Sequence, residues 1–216
     1  MRAVYVVGTL DTTREELAYV RDVVEATGLV AVLVDVGTTE HQSSADVKVA
    51  EVAGHHPDGA AAVVSSDRGI AVSAMAVAFE AFVRANDSSI GGIIGIGGSG
   101  GTAIITPGMR ALPVGRPKMM VSTVASGNVG PYVGPADIAM MYSVTDVDPI
   151  EEPSQAGAAI RRLKSSARWR SAARQSPVKA GPCMRARVSM SRAASRRMVA
   201  PLDGCSDRDP GASSSA

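Results

Sequence analysis

Short, continuous apolar runs rich in β-branched residues, each closed by a polar or glycine turn and separated by helix-periodic segments, constrain this chain most. Ala3 to Val7 is the first, closed by the turn Gly8-Thr9-Leu10-Asp11-Thr12-Thr13. The segment from Arg14 to about Ala26 carries Leu17, Val20, Val23 and Val24 on one helical face, with Gly28 placed to end it. Thr12 or Thr13 can cap that helix, and Glu15 and Glu16 suit its first turn. Leu29 to Val36 is a second strand-like run, so strand, helix and strand follow within ~30 residues, the span of a βαβ unit with parallel strands. A weaker helix is expected within Asp46–Ala53, a stronger one over Ile70–Arg84, and a third strand over Ile90–Ile96. A helix over Ala103–Ala111 and strands over Lys118–Ser122 and Ile138–Ser143 complete the pattern. The expected fold is α/β, a doubly wound, mostly parallel sheet of Rossmann or flavodoxin type. With 3% aromatic residues, its core must be built from aliphatic side chains and methionine.

Charge divides the chain. Residues 1–149 hold nine Lys/Arg against sixteen Asp/Glu, a net of −7, and residues 150–216 hold thirteen against five, a net of +8. The acidic part lacks the basic face that sequence-independent nucleic-acid binding needs. After Asp146 the chain becomes rich in Ser, Arg, Ala and Pro, without core-forming periodicity. Residues 1–147 therefore read as the folded lobe and 148–216 as a basic tail, disordered or out of frame, with a helix over Gln155–Trp169 conceivable from composition. No run reaches the ~18 apolar residues of a membrane span, and Met1-Arg2 leads straight into a strand-like segment, so a cytoplasmic location is expected. Both cysteines, Cys183 and Cys205, fall in the tail.

The densest chemical signal is Gly97-Gly98-Ser99-Gly100-Gly101-Thr102, directly after the third strand and opening a helix. Glycines there permit positive φ and close approach of an anion, the helix start adds partial positive charge, and Ser99 and Thr102 offer hydroxyls. The turn lacks the lysine of a P-loop. A tight turn without a ligand is the competing reading. Asp11 and Thr12 follow the first strand at the same sheet edge, as ligands or as helix caps. Asp35 ends the second strand, where an acid often meets ribose hydroxyls, or is a loop carboxylate. Arg68, between Asp67 and Gly69, offers a phosphate clamp or a surface ion pair. Ser122-Thr123-Val124-Ala125-Ser126-Gly127-Asn128 is a second polar loop able to line the same cleft. Ser99 fits the Gly-x-Ser-x-Gly spacing of a hydrolase elbow, but His41, His55 and His56 all lie upstream, where such a triad does not place its histidine. His55-His56 with Asp58 reads as a solvated loop, and no protein-held metal is expected.

Several of these blocks in order resemble a known family. They are Val6-Val7-Gly8-Thr9-Leu10-Asp11-Thr12, Val34-Asp35-Val36-Gly37-Thr38, Asp67-Arg68-Gly69, Gly95 through Thr102, Leu112 through Lys118, and Ser122 through Gly127 followed by Tyr132-Val133-Gly134. Together they look like the ATP-binding domain of the tomato mosaic virus resistance protein and its bacterial relatives of unassigned function. The resemblance implies a two-lobed α/β fold, ATP as ligand (with or without Mg), self-association, and in the plant member inhibition of a viral replication protein. It further implies nucleotide contacts from Asp11, Thr12, Thr13, Thr38, Arg68 and Gly98 to Gly101. Thr13 departs from the pattern, standing where the family usually has lysine, which removes a phosphate-facing cation. Ser143 to Val147 matches the family, but Asp148-Pro149-Ile150 and beyond do not, so the second lobe is expected to be missing through a frameshift or truncation. The function expected is an ATP-binding module acting through a partner or second domain. A phosphoryl-transfer or hydrolytic enzyme drawing on Arg68, Lys118 and Asp11 and an inactive fragment are the alternatives.

Overall fold

The structure, a computed structural model, describes residues 2–39 and 41–143. The expectations for the basic tail, for the Gln155–Trp169 helix and for the link to a second lobe lie outside the described residues.

Five strands form one parallel sheet: β1 (Ala3–Gly8), β2 (Ala31–Asp35), β3 (Ile90–Gly97), β4 (Lys118–Ser122) and β5 (Ala139–Tyr142), in spatial order β2-β1-β3-β4-β5. Strands β1 and β2 are buried on both faces, which is why they read as continuous apolar runs rather than alternating ones. Helices α1 (Arg14–Glu25), α2 (Val49–Ala53), α3 (Arg68–Ala85), α4 (Ser99–Ala111) and α5 (Gly130–Val133) connect them. The doubly wound α/β expectation is met, in the flavodoxin-like strand order.

Crossovers between parallel strands are right-handed, so connections running in opposite directions along the sheet lie on opposite faces. The step from β1 to β2 puts α1 on one face, where Leu17, Val20 and Val24 meet Val4, Val6, Leu33 and Ile96. The steps from β2 to β3 and β3 to β4 put α3 and α4 on the other. There Met75, Phe79, Phe82, Ile104, Ile105 and Met109 pack over Tyr5, Val7, Ile93 and Met120. Gly108 lets α3 and α4 touch: a Cβ there would sit 2.5 Å from Phe79 Cε1. Past β2, Val47 forms an isolated parallel bridge to Val34, and Asp46 accepts the Leu33 amide, which covers the outer edge of β2 at that point.

Two expectations are corrected. The helix after β3 begins at Ser99, not Ala103, and takes in most of the glycine turn. A first-turn residue gains no intrahelical N–H bond in any sequence, so glycine there gives little signal of the helix it opens. Second, Lys118 lies at the start of β4, at the opposite end of the sheet from the glycine turn. Its side chain is fully buried, 2.6 Å from Asp137 Oδ1, and donates to the Pro113 carbonyl. Asp137 Oδ2 accepts the Gly115 amide. Burial pushes the Asp137 carboxyl up, but the hydrogen bonds from Lys118 and Gly115 and the lysine's charge outweigh it, and its pKa is lowered. Lys118 thus holds the base of the sheet, at the other end from the glycine turn.

Candidate functional site

In an open parallel sheet, ligands bind beyond the carboxyl ends of the strands, at the point where the connections diverge to opposite faces. Here that point lies between β1, whose chain leaves for α1, and β3, whose chain leaves for α4. The β1 loop, the glycine turn, Arg68 and the start of the β2 loop all border it.

The glycine turn works by closeness rather than by unusual dihedrals. None of Gly97, Gly98, Gly100 and Gly101 has positive φ; among the described residues those are Gly28, Gly59, Gly115 and Gly134. The expectation of positive φ is corrected accordingly. A Cβ on Gly97 would lie 3.1 Å from the Gly101 Cα, so glycine lets the first turn of α4 fold back against the end of its own strand. Gly98 is the N-cap and brings no capping side chain, and the first helical bond runs from the Thr102 amide to the Gly98 carbonyl at 2.9 Å. The amides of Ser99, Gly100 and Gly101 precede that bond and lack intrahelical partners. Ser99 is exposed at the first helical position.

Thr102 is corrected from ligand contact to internal support. It is fully buried, and its hydroxyl donates to the Gly98 carbonyl at 2.8 Å and lies 2.6 Å from Ser122 Oγ. With its own proton committed, the Thr102 oxygen accepts from the Ser122 hydroxyl. Ser122 in turn accepts the Val124 amide at 3.1 Å. One chain of hydrogen bonds therefore ties the glycine turn to the loop after β4, and the two loops meet, as their shared polar, small-residue character suggests.

The three helix starts at this edge differ electrostatically. Helix α3 is capped by Asp67, whose carboxylate accepts the Ile70 amide at 3.0 Å, so its start already holds an anion. Helix α1 has Glu15 and Glu16 in its first turn. Thr13 is its N-cap residue, but the hydroxyl donates to the Thr9 carbonyl at 3.0 Å, so the expected side-chain cap is absent. Thr12 shares a 2.8 Å hydroxyl contact with Thr9. Helix α4 has neither a cap nor an acidic residue in its first turn. Its dipole is therefore the one least offset by negative charge.

Arg68 opens α3 beside it. A guanidinium nitrogen lies 3.8 Å from where a Gly100 Cβ would be. The side chain is exposed, with no hydrogen bond or ion pair among the described residues. Of the two roles its sequence setting allows, a phosphate clamp or a surface ion pair, the second has no partner beside it.

Asp35 is where the structure departs from the ribose reading. Its side chain is wholly enclosed. Oδ1 accepts the amides of Leu10 (3.2 Å) and Gly37 (3.0 Å), and Oδ2 meets His41 Nε2 at 2.7 Å. It binds the β1 and β2 loops to each other and presents no oxygen outward. Thr38 is half-buried in the β2 loop, and its neighbour Thr39 donates its hydroxyl to Asp11. Three residues that carry no motif in the sequence thus shape this corner: Thr39, His41, and Arg14, whose guanidinium donates to the Leu10 and Gln42 carbonyls. Spacing alone gives no signal for them, because Thr39 meets Asp11, His41 meets Asp35 and Arg14 meets Gln42 only once these segments are folded together.

Among the described residues no cluster of three or more His, Cys, Asp or Glu is placed to hold a metal ion, and no helix is long and apolar enough to cross a membrane. His55 packs edge-on against Phe82.

Fold and edge together define a flavodoxin-like α/β domain whose switch point is bordered by a helix start without a capping side chain. The chain belongs to the family described as "Uncharacterised protein family (UPF0261) N-terminal domain", whose profile matches residues 2–159. It is 56% identical over 148 residues to the UPF0261 protein RA0729 of Rhizobium meliloti (strain 1021), covering 68% of this chain and 37% of that one. A UPF0261 protein of Clostridium tetani (strain Massachusetts / E88) is 42% identical over 155 residues, covering 69% of this chain and 38% of its own length. The ToMV resistance protein Tm-1(GCR237) of Solanum lycopersicum is 34% identical over 192 residues, covering 76% of this chain and 26% of its own. The chain thus spans well under half the length of these relatives.

Proposed function

We propose that the switch-point edge binds the phosphates of a nucleotide, with Mg-ATP as the first candidate. One observation carries this reading: the uncapped start of α4 faces the crevice beside Arg68, a guanidinium without a partner among the described residues. Backbone amides at a helix start and an arginine fork are the two donor types that suit phosphate oxygens best. Arg68 also supplies positive charge on the side of the crevice opposite Thr13. Asp11, exposed and held by Thr39, puts a carboxylate near the same edge. A magnesium ion arriving with the nucleotide would offset its repulsion.

As a module of a longer family, the domain would act through a partner, a second domain or self-association, in the cytoplasm. The resemblance to a virus-resistance protein fits a role by binding rather than by turnover. The enzyme reading has less behind it: of its candidates Arg68, Lys118 and Asp11, Lys118 is committed to Asp137 at the other end of the sheet.

The test is titration calorimetry of the chain with Mg-ATP, before and after Ser99→Ala with Gly100→Ala. A Cβ on Gly100 meets nothing closer than 3.8 Å, so the fold tolerates the change while the rim of the site does not stay the same. Weaker binding by the folded double variant is expected. A folded wild-type chain that gives no heat with nucleotide refutes the proposal.

A further inference from the structure

The corner formed by Asp35 and His41 has a feature that the nucleotide reading does not use. His41 Nδ1 lies 2.9 Å from the Thr39 carbonyl and Nε2 lies 2.7 Å from Asp35 Oδ2. A carbonyl only accepts, so Nδ1 must carry a proton. An ionised Asp35 carboxylate likewise only accepts, so against it Nε2 carries one as well. Both bonds together require the imidazolium. Its charge faces Asp35 from β2 and Asp11 from the β1 loop, while Arg14 of α1 donates to the Gln42 carbonyl next along the chain. Gly37 makes room for the ring: a Cβ there would come within 2.8 Å of His41 Cε1.

We propose that Asp35 and doubly protonated His41 form a proton-dependent latch that holds the β1 and β2 loops together at the border of the crevice. Losing one proton breaks one of the two ring bonds. It also leaves Asp35, the group that positions the Leu10 and Gly37 amides, without its charged partner. The loop that carries Thr38 and Thr39 then loosens, and with it the Thr39 bond to Asp11. Burial lowers the His41 pKa, but the Thr39 carbonyl and the two carboxylates outweigh it and raise the value, so the latch stays closed to a higher pH than an ordinary histidine would allow and opens as pH rises. Only the effect on ligand binding rests on the nucleotide reading; the latch itself does not.

The experiment is an NMR pH titration of the chain, following the His41 ring nitrogens and the Leu10 and Gly37 amides. In the wild type the ring should titrate above the ordinary histidine range, and both amides should shift with the same midpoint. Asp35→Asn can still accept both amides on its oxygen but offers an N–H to Nε2, which favours the neutral ring. There the His41 midpoint should fall below the ordinary range and the amides should lose their pH dependence. A wild-type ring titrating at or below that range, or amides silent through its transition, overturns the latch. That arm needs no variant, so a poorly folding Asp35→Asn does not blunt it. Mg-ATP titrations on either side of the midpoint form the second arm. Affinity should fall about tenfold on the alkaline side, the equivalent of roughly 1.4 kcal/mol. Affinity independent of pH overturns the coupling to the crevice. Absence of nucleotide binding at every pH refutes the proposed function, while the ring and amide shifts still decide the latch.

Discussion

Thr102 offers the sharpest test of how the glycine turn is held. Thr102→Val keeps shape and volume but removes the hydroxyl, which is wholly buried between the Gly98 carbonyl and Ser122 Oγ. The Gly98 carbonyl keeps its bond from the Thr102 amide, so it is not orphaned. The Ser122 hydroxyl does lose its acceptor, inside the protein, and an unmatched buried polar group costs about 1–3 kcal/mol. The expected loss is about 2 kcal/mol, a large part of a domain's total of about 5–15 kcal/mol. It corresponds to a drop in Tm of about 6 °C for a domain of this size. Equilibrium urea unfolding followed by far-ultraviolet circular dichroism gives the value directly, with an unchanged m as the sign that only stability moved. Ser122→Ala completes a double-mutant cycle. Once the hydroxyl of Ser122 is gone, Thr102→Val leaves nothing unmatched, so the double variant should cost about 1 kcal/mol less than the sum of the two. Additivity within about 0.3–0.5 kcal/mol would mean that the two hydroxyls do not interact, and Thr102 could not then be what ties the turn to the loop after β4.

Arg68→Ala should weaken Mg-ATP binding by roughly ten- to a hundredfold, the worth of a charge-assisted hydrogen bond, while the exposed, unpartnered side chain leaves Tm nearly unchanged; calorimetry and a thermal melt read the two effects separately. Gly97→Ala forces a Cβ to 3.1 Å from a backbone atom of α4, so it should cost about 1–3 kcal/mol in urea unfolding and weaken nucleotide binding together. Lys118→Ala strips the buried partner from Asp137 and should cost about 3–5 kcal/mol without changing ligand affinity per folded molecule. For pH, the two shifted groups act at opposite ends. The raised His41 pKa gives stability that is complete below the ordinary histidine value and lost as pH climbs through the folded-state value. The lowered Asp137 pKa gives stability present above the ordinary carboxyl value and lost as pH falls through its depressed one. Urea midpoints measured across pH should fall at both ends, and His41→Gln should remove only the alkaline fall.

The strands are legible in the sequence because a strand buried on both faces leaves an unbroken β-branched run, and the turn residues between such runs mark its ends. Helices α1 and α3 are legible from their apolar spacing, and α3 starts two residues earlier than that spacing indicates because Asp67 caps it. The start of α4 is hidden because glycine argues against a helix everywhere except in the first turn, where intrahelical bonding asks nothing of the residue. Short elements such as α5, and the 3-10 turns over Ala60–Val63 and Thr123–Ser126, carry too few residues to show a period. At the site, the glycine turn and Arg68 stand out as residue types. Asp35 and Thr102 stand out for the same reason, and their types point to outward-facing roles that the fold does not give them. What decides between a ligand contact and a support is whether another loop reaches the side chain first. Leu10 and Gly37 reach Asp35, Ser122 reaches Thr102, and no local pattern records it.

The divergence of the chain at β1 and β3 separates where the proposed nucleotide would dock from the residues that would select it. The gap above those two strands opens because consecutive connections depart to opposite sides, so no side chain has to be trimmed or displaced to make it. Exchanging residues of the glycine turn or of the β1 loop would alter selectivity and strength while leaving the docking position fixed. Such a scaffold could change the ligand it is proposed to take by substitution at the rim alone, because the place above β1 and β3 follows from the strand order and not from any one side chain.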